Sequence, residues 1–325
     1  MKTIHPESAV KQRYAAAAMR PEAALCCAVD YEQQYLKNIP AEVIQKDYGC
    51  GDPSRYLKPA ETVLDLGSGA GKICFIAAQI VGPQGKVIGI DMTDEMLTVA
   101  RRNAPILAER LGYANVEFRK GRIQDLALDL EKLDRELKQR PIADATSFLA
   151  SEELAQELRL REPLVASDSI DVVVSNCVLN LVETKSKRQL FEEIFRVLKK
   201  GGRAVISDIV SDEAVPERLQ NDPQLWSGCI SGALTEEGFL QAFAGAGFYG
   251  MQILKRDDQP WRTVDGIEFR SVTIAAYKGE QGPVPPEQAS PVDCSGAELR
   301  PPRETKGRNY NATTQAGPCC DGGCS

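Results

Sequence analysis

The groups in this chain whose types and spacing could carry chemistry are its thiols and one glycine-rich turn. Ten cysteines accompany a single histidine, His5. Sites built on several imidazoles and Ser-His-Asp catalysis are thereby excluded, and any chemistry must use thiols, carboxylates or a bound cofactor. Cys26-Cys27 and Tyr48-Gly49-Cys50-Gly51 lie in the N-terminal part, Cys74 follows the glycine turn, Cys177 follows the run Val172 to Asn176, and Cys229 stands among the small residues Ser227 to Ala233. Thiolates are soft ligands for thiophilic ions, and paired thiols supply two electrons by closing to a disulfide. A single free cysteine more often packs as a small apolar side chain. Cys50 is most simply a turn residue, and Cys177, after three valines, could equally be core.

These residues must be positioned by elements that the apolar pattern outlines. Thr62–Leu66 is a short buried strand, and Asp65-Leu66-Gly67-Ser68-Gly69-Ala70-Gly71 leads from it into a helix through Cys74, Ile76, Ala77 and Ile80. Gly85–Asp91 and Val116–Lys120 read as the next strands, with a helix from Asp94 to about Leu111 whose N-cap is Thr93. Ile170–Asn176 and Gly202–Asp208 are further strands flanking a helix over Lys187–Leu198. Strands alternating with helices predict a doubly wound, mostly parallel α/β sheet covered on both faces. Cys74 and Cys177 would then face its carboxyl edge, where ligands bind in such folds.

The long interval from about Leu126 to Ser169 carries charged stretches, 131–140 and 151–161, that read as surface helices making an excursion off the sheet edge. Helices around 224–231 and 235–245 and strands 251–255 and 270–277 would finish the sheet and build a small substrate-side α+β layer. The organisation expected is an N-terminal helical cap over 1–57, a ligand-binding domain over 58–211, a C-terminal region over 212–278, and a flexible tail over 279–325. That tail is rich in Pro, Gly, Thr and Asn and holds Cys294, Cys319, Cys320 and Cys324. Its thiols lack the paired spacing of four-ligand zinc motifs.

Composition narrows the partners. With 43% apolar and 26% charged residues among 325, the chain is a folded protein. Its formal net charge of -7 argues against nucleic acid or an anionic membrane as main partner. No segment reaches the ~18 uninterrupted apolar residues of a membrane span, and the start lacks the apolar core of a secretion signal. The expected location is the cytoplasm, a reducing compartment in which thiols bind metals, do redox chemistry or pack.

The turn does not keep the G-x-G-x-x-G spacing of dinucleotide sites. Asp65 to Gly71 together with Gly89-Ile90-Asp91 instead resembles the S-adenosylmethionine site of class I methyltransferases, over roughly Thr62 to Ser211. The resemblance implies that Gly67, Ser68 and Gly69 approach the methionine part, Asp91 binds the ribose, Met92 packs on adenine, and Gly121-Arg122-Ile123-Gln124 closes the adenine side. Asp65 would orient the loop, and Gly71 and Asn176 complete the cofactor-binding set.

Three longer segments are more specific: Asp65 through Cys74, Val173 through Val182, and Leu225 through Leu234. With Tyr48-Gly49-Cys50-Gly51 they resemble arsenite S-adenosylmethionine methyltransferases. That likeness implies that Cys177 and Cys229 bind As(III), with Cys74 and one of Cys26 and Cys27 as further thiols in binding or redox. Its substrates would be arsenite or methylated As(III) as thiol complexes, and its reductant glutathione or a thioredoxin-like protein. The Cys26-Cys27 pair and the length of the Leu126–Ser169 interval depart from the family pattern. Two rival functions remain: a class I methyltransferase for a small organic acceptor with structural cysteines, and a thiol-rich metalloid-binding protein.

Overall fold

A strand buried on both faces must be apolar throughout, and the sequence supplies such runs one after another. The computed structural model describes residues 6–20, 22, 29–46 and 48–279. Cys26, Cys27 and the tail cysteines lie outside the described residues. Helices α1 (Pro6–Met19), α2 (Gln33–Leu36) and α3 (Ala41–Gln45) form the cap. Then come β1 (Thr62–Leu66), α4 (Lys72–Val81), β2 (Lys86–Asp91), α5 (Asp94–Leu111) and β3 (Val116–Lys120). The excursion carries α6 (Leu130–Gln139) and α7 (Ala145–Arg161), and the chain returns through β4 (Ile170–Asn176), α8 (Lys187–Val197) and β5 (Leu198–Ser211). The remainder is α9 (Glu217–Gln220), α10 (Pro223–Ser227), β6 (Leu234–Thr235), α11 (Glu236–Gly245), β7 (Tyr249–Arg256), β8 (Arg262–Val264) and β9 (Ile267–Tyr277).

The strands order as β3-β2-β1-β4-β5-β9-β7. The first five are parallel, and β9 runs antiparallel to both β5 and β7. From β1 the chain winds outward to β3, then crosses back and winds the other way through β4 and β5. The carboxyl ends of β1 and β4 therefore flank the crevice where such sheets bind ligands. Alternation along each strand divides the core in two: Val63, Val87, Val172, Val174 and Val205 face one layer with Phe75, and Leu64, Leu66, Ile88, Val173 and Ile206 face the other with Phe191 and Phe243.

Several expectations acquire sharper form. The surface excursion is present: α6 buries no residue and α7 only Ala155. Its two ends are tied together by Val165 N–H to Leu126 O at 2.9 Å and by an Arg159–Asp125 ion pair at 2.9 Å, and Arg119 on the edge strand β3 donates to Leu164 O. β5 is longer than its apolar run suggested, because Arg203–Ser207 lies between β4 and β9 and its end, Val210 and Ser211, between β6 and β9. The C-terminal strands join this same sheet directly, so residue 211 marks no break in it. No helix among the described residues is long and apolar enough to cross a membrane.

The second layer holds a cluster of rings. Phe243 is fully buried, with ring centroids 4.9 Å from Phe191, 5.5 Å from Phe239 and 5.1 Å from Phe248. Phe243→Ala is expected to destabilise the chain by about 3–5 kcal/mol, as large core truncations do. Equilibrium denaturation in urea checks this, and a loss below about 1 kcal/mol would show the cavity collapsing without penalty.

Candidate functional site

The first half of the site is built where β1 turns into α4. Gly67, Gly69 and Gly71 have φ of 70, 51 and 95°, a left-handed run that side chains resist. The turn is pinned to the neighbouring strand, since the N–H groups of Gly67 and Ser68 both donate to Ile90 O, at 2.8 and 2.9 Å. A Cβ on Gly67 would stand 2.4 Å from Val178, whereas one on Gly69 would meet nothing within 4 Å. Gly69 thus faces open space. Its N–H donates to Asp91 Oδ2 at 2.9 Å, and Thr93 N–H donates to Asp91 Oδ1 at 2.8 Å. Burial nevertheless pushes the Asp91 carboxyl above its usual range. Thr93 stands at the N-cap of α5 but makes no side-chain cap bond.

A cavity opens on this turn, lined by Asp65, Gly67, Ser68, Gly69, Asp91, Met92, Gly121, Ile123, Gln124 and, at its other end, Cys177. Ser68 Oγ is buried there without a hydrogen-bond partner among the described residues. From the cap, Glu7, Tyr14 and Tyr48 close over the cavity. α1 is fixed at its first turn and at its middle: Glu7 pairs with Arg122 at 2.7 Å, and Arg13 donates to Ser227 Oγ at 3.0 Å.

The second half is a buried group of thiols. Cys50, Cys177 and Cys229, each no more than 6% exposed, pack in one cluster with Ile209, Trp226, Ile230 and Phe269. Sγ of Cys50, Sγ of Cys177 and a carboxylate oxygen of Asp208 all lie within 4.8 Å of one another. Cys229 Sγ is 3.2 Å from Cys177 O. Hydrogen bonds shared with the Cys229 and Cys50 thiols, then burial, push the Cys177 thiol well above its ordinary range. Burial likewise raises Cys50. The Cys50 and Cys177 thiols are therefore protonated and uncharged at neutral pH. Burial also lifts the Asp208 carboxyl to about 6 and lowers the Lys187 ammonium to about 8.

Three placements differ from the sequence reading. Cys74, expected to converge with Cys177, is fully buried in the other layer, and its Sγ lies 3.1 Å from Asp65 Oδ2. Burial and the Asp65 carboxylate raise that thiol well above its normal range. Cys50, read as a turn residue, is instead a member of the thiol cluster. Asn176 lines the cavity, as expected of a residue at the cofactor, while its amide also bonds the cap: Oδ1 accepts from Cys50 N–H at 2.9 Å and Gly51 N–H at 3.1 Å, and Nδ2 donates to Gly51 O at 2.7 Å and Tyr31 Oη at 3.1 Å. Arg122 is turned to Glu7 and does not join Gly121, Ile123 and Gln124 in lining the cavity. A signal for Cys50 was present in its flanking glycines: a Cβ on Gly49 would lie 2.1 Å from Asn176 and one on Gly51 2.6 Å from Ser207. Such a turn is pressed against the sheet.

A five-stranded parallel core extended by an antiparallel strand, with a glycine turn after β1 and a carboxylate closing β2, defines the class I methyltransferase fold. The chain belongs to the Methyltransferase domain family, whose model matches residues 57–159 and 152–266. It is 39% identical over 65% of its length to an arsenite methyltransferase of Halobacterium salinarum, covering 43% of that protein. To an arsenite methyltransferase of Aquipseudomonas alcaligenes it is 35% identical over 78% of its length, covering 66%. The chain thus spans between under half and about two thirds of these curated relatives. In structure it is similar to an arsenic(III) S-adenosylmethionine methyltransferase from Chlamydomonas reinhardtii, with TM-score 0.59 and 28% identity over 80% of this chain and 75% of that one.

The Asn176 amide is the joint between cap and sheet. Asn176→Ala leaves the buried N–H groups of Cys50 and Gly51 unpaired, at about 1–3 kcal/mol each. The expected outcome is faster alkylation of Cys50 by iodoacetamide, mapped by mass spectrometry, with Cys74 still protected. Unchanged Cys50 reactivity would mean that the turn is held by other contacts.

Proposed function

We propose that the chain transfers methyl groups from S-adenosylmethionine to As(III) held by Cys50, Cys177 and Cys229. The observation that carries this reading is a packed cluster of three buried thiols, one of which, Cys177, lines a cavity that also takes in a methyltransferase glycine turn. The cofactor fits the residues present: Ser68 Oγ is an orphaned polar group, Gly69 leaves space that any side chain would fill, and Asp91 closes β2 at the cavity. Bound there, S-adenosylmethionine supplies an electrophilic methyl group on its sulfonium.

The chain's own residues would supply ligation and alignment. As(III) is thiophilic, like the soft metals, and reaches the site as arsenite or as a thiol complex. Each protonated thiol forms one As–S bond and passes its proton to the departing hydroxyl or thiolate, so three thiols and As(OH)₃ give three As–S bonds and three waters. The protonated thiols of Cys50 and Cys177 suit this exchange, and no general base is required. Three sulfurs leave the arsenic lone pair free, and alignment of that pair with the methyl group is the main contribution of the protein. Methyl transfer oxidises arsenic formally by two electrons. A cysteine pair closing to a disulfide, with loss of two protons, returns them, and glutathione or a thioredoxin-like dithiol reopens it. Cys26 and Cys27 are candidates for that pair.

The test is product analysis after mixing the protein with arsenite, methyl-labelled S-adenosylmethionine and a thiol. Cys50→Ser, Cys177→Ser and Cys229→Ser are each expected to abolish arsenite methylation, because a hydroxyl is a hard, protonated ligand. Cys74→Ser is expected to retain it, since a hydroxyl still donates to Asp65. Full methylation by Cys177→Ser would sink the arsenic reading in favour of a small organic acceptor. Separately, Asp91→Ala is expected to weaken S-adenosylmethionine binding by about 1–3 kcal/mol without changing arsenical affinity. Calorimetry with unchanged cofactor affinity would remove Asp91 from the ribose.

A further inference from the structure

Two of the clustered thiols stand on strained backbone in separate loops. Cys177 and Cys229 both have φ of 63°, a left-handed conformation uncommon outside glycine. Their loops meet backbone to backbone, for a Cβ on Gly232 would lie 1.9 Å from Asn180 O. Behind them is a polar group with no place in the chemistry above. Asp208, 1% exposed on β5, accepts from Leu179 N–H at 2.9 Å, Asn180 N–H at 3.3 Å, Asn180 Nδ2 at 2.9 Å and Ile209 N–H at 2.7 Å. Asn180 Nδ2 also donates to Ile209 O at 2.6 Å and reaches Cys229 O at 3.5 Å. Lys187, 7% exposed, donates to Gly232 O and lies 3.4 Å from Asn180 Oδ1.

We propose that Lys187, Asn180 and Asp208 are positioning residues that fix the separation of the Cys177 and Cys229 thiols for a ligand bridging both sulfurs. Asp208 binds the turn after Cys177, Lys187 binds the loop after Cys229, and Asn180 joins the two. A buried ammonium and carboxylate gain little stability over apolar residues of the same volume, because desolvation offsets their attraction. What they provide here is register between two loops. The proposal rests on the reading of these thiols as a metalloid site.

The experiment uses two thiol reagents on the full chain. Phenylarsine oxide must bridge two thiols, and iodoacetamide takes one. Trp226 reports the first by fluorescence, since its indole N–H donates to Leu181 O at 3.0 Å, in the loop of Cys177. Lys187→Met is expected to weaken phenylarsine oxide binding about tenfold, near 1.4 kcal/mol, while Cys177 alkylation and S-adenosylmethionine affinity stay at wild-type values. Wild-type phenylarsine oxide affinity in the variant overturns the positioning role. So does a parallel rise in alkylation, which would mean that the loops had merely opened. If Lys187→Met fails to fold, Asn180→Ala, which keeps both buried charges, is read by the same comparison. Failure of the unaltered protein to bind phenylarsine oxide would instead overturn the metalloid reading, and this proposal with it.

Discussion

Four hydrogen bonds on one side chain, the carboxamide of Asn176, join the N-terminal cap to the carboxyl end of the sheet. Without them the Tyr48–Gly51 turn would have no reason to press on the ends of β4 and β5, since it presents glycines and backbone amides more than apolar surface. With them, buried N–H and C=O groups find partners, and Cys50 is brought from the cap into contact with a thiol on the sheet edge. Ser271 Oγ completes the seat by donating to Cys50 O at 2.7 Å. The thiol cluster is therefore a product of tertiary joining. Cys50, Cys177 and Cys229 come from three distant parts of the sequence, and each is held by polar bonds to a neighbour rather than by its own element.

The parts of the fold that were legible in the sequence are those governed by period and by glycine. Thr62–Leu66 and Ile170–Asn176 are largely apolar, as strands buried on both faces are, and their limits in the sequence coincide with those of β1 and β4. The charged helices of the excursion were equally plain, because nothing there is asked to pack. The sites of the thiols were less so. Cys74 lies on α4, a helix buried on nearly every side, and such a helix gives no stripe to tell which layer a residue faces. Its placement follows from strand alternation instead: Asp65 shares a face with Val63, and α4 covers that face. The cap bonds of Asn176, which also lines the cavity, are illegible for a related reason. The position at the end of β4 was recognised as part of the site, but the sequence does not tell a side chain that meets a ligand from one that meets another loop.

The electrostatics of the two halves are opposed, and this follows from burial. On the cofactor side, Asp91 keeps backbone donors on both oxygens at the cavity wall. On the thiol side, the nearest carboxylate, Asp208, is already surrounded by donors from the loop after Cys177. A carboxylate so occupied has little left to offer a ligand, which leaves sulfur as the donor chemistry of that end. The distinction bears on selectivity. Hard cations seek oxygen donors, whereas clustered thiols favour soft, thiophilic acceptors.

Helix α1 connects the halves mechanically. Its first turn is tied through Glu7 to Arg122, beside Gly121 and Ile123 of the cavity lining, and Arg13, nearly two turns on, is tied to α10, which leads directly into Cys229. Tyr14 lies next to Arg13, packs edge-on against Tyr48 at 6.0 Å, and lines the same cavity as Cys177. One helix thus lines the cavity through Glu7, Val10 and Tyr14 while bonded to the loop after β3 and to α10. On the proposed reading, this is how a methyl donor and a metalloid acceptor on separate strands are kept in register. The β1 turn holds one, the thiol cluster holds the other, and the cap holds the distance between them.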